Sequence, residues 1–137
     1  MTTFVDTNVL LCAMDEDQGE RHRVAAELME QLWVSKEGVL STQVLQELYV
    51  NLTRKLRKPT PRARARATIE RYMAWPVHQV TPENIISAAE LEQRHTLAFW
   101  DALIVVAAQQ LGASRILTED MQDGRSFGGV RIENPFT

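Results

Sequence analysis

The chain has 137 residues, of which 45% are hydrophobic and 24% are charged, and its formal net charge is −3. This length and composition predict one soluble globular domain with its own hydrophobic core and exclude a disordered chain. The single cysteine, Cys12, excludes an intramolecular disulfide and the usual zinc sites built from several cysteines. No apolar run approaches the roughly 18 residues that cross a bilayer, and no signal peptide is recognisable, so we expect a cytoplasmic protein without membrane association.

Segments typical of strands alternate with segments of helical periodicity along the whole chain. In chain order the pattern predicts a strand at 2–6, helices at 8–14 and 20–35, a strand at 39–41, helices at 42–52 and 61–74, a strand at 77–80, helices at 81–95 and 99–111, and strands at 115–118 and 130–133. Thr42 is the predicted N-cap of the third helix. The glycine-rich stretch that ends at Gly129 is predicted to be a loop. This alternation predicts an α/β fold in which a mostly parallel sheet of five strands is flanked by helices.

A basic segment, which we define as residues 54–66, interrupts an otherwise acidic chain. It supplies seven of the 15 Lys and Arg residues: Arg54, Lys55, Arg57, Lys58, Arg62, Arg64 and Arg66. Two interpretations are open, a surface that contacts the phosphates of a nucleic acid and a solvated helix pair that keeps the protein soluble. The candidate RNA contacts are Arg54, Lys55, Arg62, Arg64 and Arg66.

Four acidic residues are predicted to meet at one edge of the sheet. Asp6 ends the first strand, and Glu47 lies in the early turns of the helix that follows the second strand. Asp101 lies in the first turn of the helix that leads into the fourth strand, and Asp120 follows that strand. Parallel strands all end at the same edge of a sheet, and the helix that follows each strand starts there. We therefore expect the four carboxylates to lie close together, at the edge where open α/β sheets bind ligands.

Clustered carboxylates repel one another, by roughly 1 kcal/mol for a pair about 4 Å apart in water and by about 4 kcal/mol near a protein surface. Such a cluster requires raised pKa values or a bound cation. Oxygen ligands suit Mg²⁺ or Mn²⁺. A metal site of this kind can hydrolyse phosphodiester bonds.

The motifs that carry these acids resemble those of the PIN-domain nucleases, and within them the toxin of a VapBC-type toxin–antitoxin pair. They are Asp6-Thr7-Asn8 after the first strand, Glu47, Trp100-Asp101-Ala102 at the start of an apolar helix, and Thr118-Glu119-Asp120. The resemblance covers residues 1–137 as one PIN domain. It implies a Mg²⁺- or Mn²⁺-dependent endoribonuclease with the catalytic residues Asp6, Glu47, Asp101 and Asp120, of which Asp6, Asp101 and Asp120 are the implied metal ligands. Thr7, Asn8 and Thr118 match the polar residues that accompany the acids. An antitoxin partner and a toxin homodimer are also implied.

Some alternatives are open from the sequence. Glu119 or Asp123 could take the place of Asp120 as the fourth acid. Trp33, Trp75 and Trp100 could stack on RNA bases, although core packing is the preferred interpretation because each borders an apolar stretch. The main alternative function is a catalytically inactive RNA- or protein-binding module. A phosphoacceptor domain of the receiver type is disfavoured, because the chain has no lysine after Lys58.

Overall fold

Six strands form one sheet in the computed structural model, which describes residues 1–137. The strands are β1 (Thr3–Val5), β2 (Gly38–Ser41), β3 (Val77–His78), β4 (Arg115–Leu117), β5 (Ser126–Phe127) and β6 (Val130–Glu133). Their order across the sheet is β3-β2-β1-β4-β6-β5. All neighbouring pairs are parallel except β5 and β6. The α/β class and the mostly parallel sheet are therefore confirmed.

Six α-helices connect and cover the strands. They are α1 (Thr7–Met14), α2 (Glu20–Ser35), α3 (Thr42–Arg54), α4 (Arg62–Tyr72), α5 (Pro82–Arg94) and α6 (Phe99–Gln110), with a 3₁₀ turn at Glu16–Gln18. The predicted cap of α3 was wrong by one residue: the Ser41 hydroxyl accepts from the backbone N–H of Val44, while Thr42 is already helical and accepts from that of Val80. None of the helices is both long and apolar enough to span a bilayer.

The strand that the sequence did not predict is β5, which lies in the glycine-rich stretch assigned to a loop. Gly128 and Gly129 both have positive φ angles, of 52° and 86°. They form a two-residue turn that pairs Phe127 with Val130 in an antiparallel hairpin. The sheet thus has six strands instead of five, because two adjacent glycines permit a tight turn that the short flanking segments did not reveal.

The core lies on both sides of the central strand β1, all three residues of which are fully buried. Helix α6 is buried without interruption from Ala102 to Ala108, which explains why it lacks a polar face. Trp75 packs against Gly38, where an added Cβ would lie only 2.4 Å from the indole ring. The core interpretation is therefore confirmed for Trp75.

The chain leaves β1 toward β2 on one side of the sheet and later adds β4 on the other side. At such a point the loops after neighbouring strands diverge and leave a crevice at the carboxyl ends of the strands. Asp6 and Thr118 directly follow β1 and β4. The topology therefore predicts a binding site between these two residues.

Candidate active site

Asp6 lies at the carboxyl end of β1 with only 5% of its surface exposed. One carboxylate oxygen, Oδ1, accepts a hydrogen bond of 2.7 Å from the backbone N–H of Thr7, and Asp6 is the N-cap of α1. The other oxygen, Oδ2, accepts a hydrogen bond of 2.8 Å from the Thr118 hydroxyl. Because β1 pairs directly with β4, these two bonds fix the carboxylate at the junction of the two strands.

The Asn8 side chain connects the first turn of α1 to the loop that follows β4. Its amide nitrogen, Nδ2, lies 2.9 Å from Asp120 Oδ2, 3.3 Å from Thr118 Oγ1 and 3.4 Å from Asp6 Oδ2. Its carbonyl oxygen accepts from the backbone N–H of Glu119 at 3.3 Å. One amide thus ties together two segments of the chain that are more than a hundred residues apart, and it brings Asp120 to the same place as Asp6.

Glu47 reaches the site from α3. Its Oε1 atom accepts a hydrogen bond of 3.1 Å from the Thr7 hydroxyl, which connects α3 to the start of α1. The pKa of Glu47 is raised, first by desolvation and then by the negative charge of Asp120, whereas the Thr7 hydrogen bond and the positive charge of Lys55 lower it. Glu47 is therefore close enough to Asp120 for their negative charges to repel each other.

Asp101 lies in the first turn of α6 and is half-buried. Desolvation is the main reason why its pKa is raised, followed by the charges of Asp120 and Glu47, and no hydrogen bond opposes the change. The helix N-terminus favours a negative charge at this position. Asp101 is thus the one acid of the four whose carboxylate accepts no hydrogen bond from the protein.

The four acids, which we name the acidic site, influence one another through space. The pKa of Asp6 is raised from its ordinary value of 3.8 to about 7. Burial is the main cause and the charges of Asp120 and Glu47 add to it, while the Thr118 and Thr7 hydrogen bonds oppose the shift. Three carboxylates thus have raised pKa values, since their charged forms are stabilised too little by the surrounding protein. A cation at this position would relieve the repulsion.

The residues present fit a hard divalent cation that keeps part of its water shell. No three His, Cys, Asp or Glu side chains converge closely enough to hold one ion directly. Mg²⁺ is usually bound through one or two carboxylates and several waters, so such convergence is not required. The Oε1 atom of Gln43, beside Glu47, is buried without a hydrogen-bond donor and is suited to accept from a water. Direct ligation by Asp6, Asp101 and Asp120 together stays a prediction.

The two alternatives for the fourth acid have other partners. The Glu119 carboxylate forms an ion pair with Arg21 of α2. Asp123 accepts a hydrogen bond of 2.9 Å from the backbone N–H of Asn134. Among the three acids of this loop, only Asp120 has its carboxylate bonded to Asn8, and only its charge raises the pKa values of Asp6 and Asp101.

The basic segment lies apart from this hydrogen-bonded network. Its predicted RNA contacts are all exposed: Arg54, Lys55, Arg62, Arg64 and Arg66. Among them, only Lys55 is close enough to the acidic site to affect the pKa of Glu47. Arg66 pairs weakly with Glu70 of its own helix at 3.8 Å. The structure brings the acids together but does not gather the arginines around them.

Two further residues of this region were missed or misassigned from the sequence. Trp100 is 63% exposed, so the prediction that it packs in the core was wrong. It precedes the buried run that begins at Ala102, and its side chain faces solvent. Gln43 was not singled out at all, although it lies four residues before Glu47 and so on the same face of α3.

The sheet is mostly parallel, and acidic residues lie at the carboxyl ends of β1 and β4 and in the early turns of α3 and α6. This is the arrangement that the resemblance to the PIN-domain nucleases implies. Residues 3–122 match the model of the PIN domain family, and the chain belongs to this family. No curated protein matches the sequence significantly.

Solved structures with the same fold include several toxins and their complexes. VapC20 of Mycobacterium tuberculosis, described as a toxin that cleaves the sarcin-ricin loop, has 24% identity and a TM-score of 0.64 over 94% of this chain and 98% of that one. A toxin–antitoxin complex from Klebsiella pneumoniae has 20% identity and a TM-score of 0.69, with 97% of each chain covered. DNA-bound VapBC from Salmonella typhimurium has 20% identity and a TM-score of 0.66, with 98% of each chain covered. At these identities the likeness shows a common fold.

Proposed function

We propose that this protein is a Mg²⁺- or Mn²⁺-dependent endoribonuclease that acts as the toxin of a toxin–antitoxin pair. The main support is the acidic site, in which burial and mutual repulsion raise the pKa values of Asp6, Glu47 and Asp101. Like charges held this close favour a bound divalent cation. Membership of the PIN domain family agrees with a nuclease.

In this proposal Asp6, Asp101 and Asp120 hold the ion, and Glu47 completes the catalytic group. When bound, Mg²⁺ or Mn²⁺ supplies Lewis-acid stabilisation of the charge that develops on the phosphodiester oxygens. The carboxylate of Asp101 accepts no hydrogen bond from the protein. Its carboxylate can therefore turn toward the ion without breaking a contact in the fold.

Thr7, Asn8 and Thr118 orient the acids. Thr118 fixes Asp6, Thr7 fixes Glu47, and Asn8 fixes Asp120 through the hydrogen bonds described above. Fixed orientation matters because electrostatic stabilisation of a reaction depends on groups that need not rearrange during it.

We place the RNA backbone on the basic segment, through Arg54, Lys55, Arg62, Arg64 and Arg66. Their exposure leaves the guanidinium and ammonium groups available to phosphates. The exposed ring of Trp100, next to Asp101, offers a face on which an unpaired base can stack. The likeness to a toxin that cleaves the sarcin-ricin loop agrees with an RNA substrate.

The proposed protein partners are a VapB-like antitoxin and a second copy of this chain. The antitoxin finds support in structures of the same fold that are toxin–antitoxin complexes. The homodimer follows from the family resemblance alone. We take the PIN domain to extend over residues 1–137, since β6, beyond the matched residues, belongs to the same sheet.

Cleavage of total RNA by the purified protein tests this function. We expect cleavage with Mg²⁺ or Mn²⁺, none with EDTA, and loss of cleavage in Asp6→Asn. The matched control is Asp123→Asn, which neutralises an acid whose carboxylate is bonded to Asn134 outside the acidic site, and this variant should cleave as the wild type does. Circular dichroism would establish that each variant is folded.

The competing function is a PIN-like module that binds RNA or protein without cleaving it. It is favoured by the absence of three carboxylates that converge on one point. A folded, antitoxin-free protein that binds RNA but cleaves none with either metal would establish this alternative instead.

A further inference from the structure

Gln43 is a buried polar side chain with an unusual hydrogen-bond pattern. It lies in the first turn of α3 and is only 8% exposed. Its amide nitrogen, Nε2, donates to the backbone carbonyl of Trp100 at 3.3 Å. Its carbonyl oxygen, Oε1, is the one buried side-chain polar atom of the chain that has no partner. Buried polar atoms are nearly always hydrogen-bonded, so the unpaired oxygen requires an explanation.

A reversed amide does not provide that explanation. Exchanging Nε2 and Oε1 would place two acceptors, the glutamine oxygen and the Trp100 carbonyl, 3.3 Å apart. The nitrogen is therefore held toward Trp100, and the oxygen of the same amide must face another group.

The position of Gln43 connects two members of the acidic site. Trp100 directly precedes Asp101, so the bond to its carbonyl anchors the turn that carries this acid. Gln43 also lies one helical turn before Glu47, and hydrogen bonding by its side-chain amide lowers the pKa of that carboxyl. The bond to Trp100 is the only side-chain hydrogen bond between α3 and α6.

We propose that Gln43 is a positioning residue that sets the distance between Glu47 and Asp101 and thereby the affinity of the acidic site for a divalent cation. The Trp100 carbonyl transmits the constraint to Asp101, whose carboxylate has no protein hydrogen bond of its own. The inference rests on the proposed metal dependence and adds a residue that none of the acidic motifs contains.

Calorimetric titration of Mn²⁺ into the metal-free protein, with thermal melts before and after addition, tests this role. Gln43→Met keeps the side-chain volume and removes both amide atoms. Gln43→Asn keeps the amide but shortens the side chain by one methylene, so that it cannot reach Trp100. We expect both variants to bind Mn²⁺ roughly tenfold more weakly, which is typical of losing a group that orients metal ligands. The melting temperature of metal-free Gln43→Met should change little, because an unpaired buried acceptor disappears with the lost hydrogen bond.

The matched control is Gln109→Met, since Gln109 also donates its amide to a backbone carbonyl, that of Phe127, at 3.3 Å. Gln109 lies about 12 Å along α6 from Asp101, and its replacement should leave Mn²⁺ affinity unchanged. Unchanged affinity in both Gln43 variants, with normal binding by the wild type, would overturn the inference and leave the proposed function intact. A wild-type protein that binds no Mn²⁺ would overturn the proposed metal dependence, and this inference with it.

Discussion

The acidic site and the basic segment carry opposite charges and are constructed in opposite ways. Hydrogen bonds between distant parts of the chain hold three of the four acids, as in the buried 2.8 Å bond from Thr118 to Asp6, residues that are 112 positions apart. The basic segment has two ion pairs, Arg57 with Asp17 and Arg66 with Glu70, and all four of these side chains are at least half exposed. Exposed ion pairs contribute only about 0–1 kcal/mol.

This difference matches the two tasks that we propose for the regions. Chemistry at a phosphodiester requires groups in fixed positions, and a partly buried hydrogen-bonded network provides them even though burial makes the charge of Asp6 unfavourable. Attraction of a phosphate backbone depends on the number of positive charges and tolerates movement of each side chain. Substitutions in the acidic site should therefore change turnover and metal binding, whereas those in the basic segment should change affinity and its dependence on salt.

The largest effect is expected for Asp101→Asn. The variant removes a carboxylate without breaking any hydrogen bond of the fold, so the free energy of unfolding at pH 7 should stay the same or increase as repulsion from Asp120 and Glu47 disappears. Loss of electrostatic stabilisation at the reaction centre typically lowers turnover by on the order of 10²-fold or more. Single-turnover cleavage of a defined RNA at saturating Mn²⁺ would measure it. Turnover equal to that of the wild type would remove Asp101 from the catalytic group.

A pH series tests the cost of burying the acids. The pKa of Asp6 is raised to about 7 in the folded state from an ordinary value of 3.8, so between these values the folded state binds more protons than the unfolded state. The contribution of Asp6 to the stability of the metal-free protein should therefore be fully present below about pH 4 and be lost as the pH rises through about 7, by up to about 4 kcal/mol.

Urea unfolding of the wild type and of Asp6→Asn from pH 4 to pH 8 would measure this loss. Their difference in unfolding free energy should shift in favour of the variant as the pH rises, and saturating Mn²⁺ should stabilise the wild type most at the alkaline end. A difference that does not change with pH would mean that Asp6 keeps an ordinary pKa in the folded protein.

The convergence of the acids was predictable because it depends on topology alone. In a parallel sheet, Asp6 and Thr118 lie at the same edge wherever the strands are placed, and Glu47 and Asp101 arrive there at helix starts. The features of the site that the sequence did not predict depend on contacts between distant residues. The partner of Gln43 is 57 positions away along the chain, and nothing in its local sequence indicates that a glutamine at this point is buried.

The predictions for the glycine-rich stretch and for Trp100, which were made from the local sequence, were both wrong, but for different reasons. The hairpin of β5 and β6 has a local cause, the pair Gly128 and Gly129, and a closer examination of this dipeptide could have predicted it. The exposure of Trp100 has no such local cause. An aromatic residue beside an apolar run can face the core or solvent, and only the packing of α6 against its neighbours decides between them.

The smallest effect is expected for the double change Arg62→Ala and Arg64→Ala in the basic segment. Both side chains are exposed at the start of α4, so the free energy of unfolding should change by no more than about 0.5 kcal/mol each. If each arginine neutralises one phosphate, the slope of log affinity against log salt should decrease in magnitude by about 1 for each residue removed. Fluorescence anisotropy with single-stranded RNA, measured in the non-cleaving Asp101→Asn background at several salt concentrations, would give this slope.

The matched control is Arg94→Ala, which removes an exposed arginine at the end of α5 and should leave the slope unchanged. If the double variant also keeps the wild-type slope, the basic segment is a solvated surface, and the phosphate contacts must be sought closer to Lys55 and the acidic site.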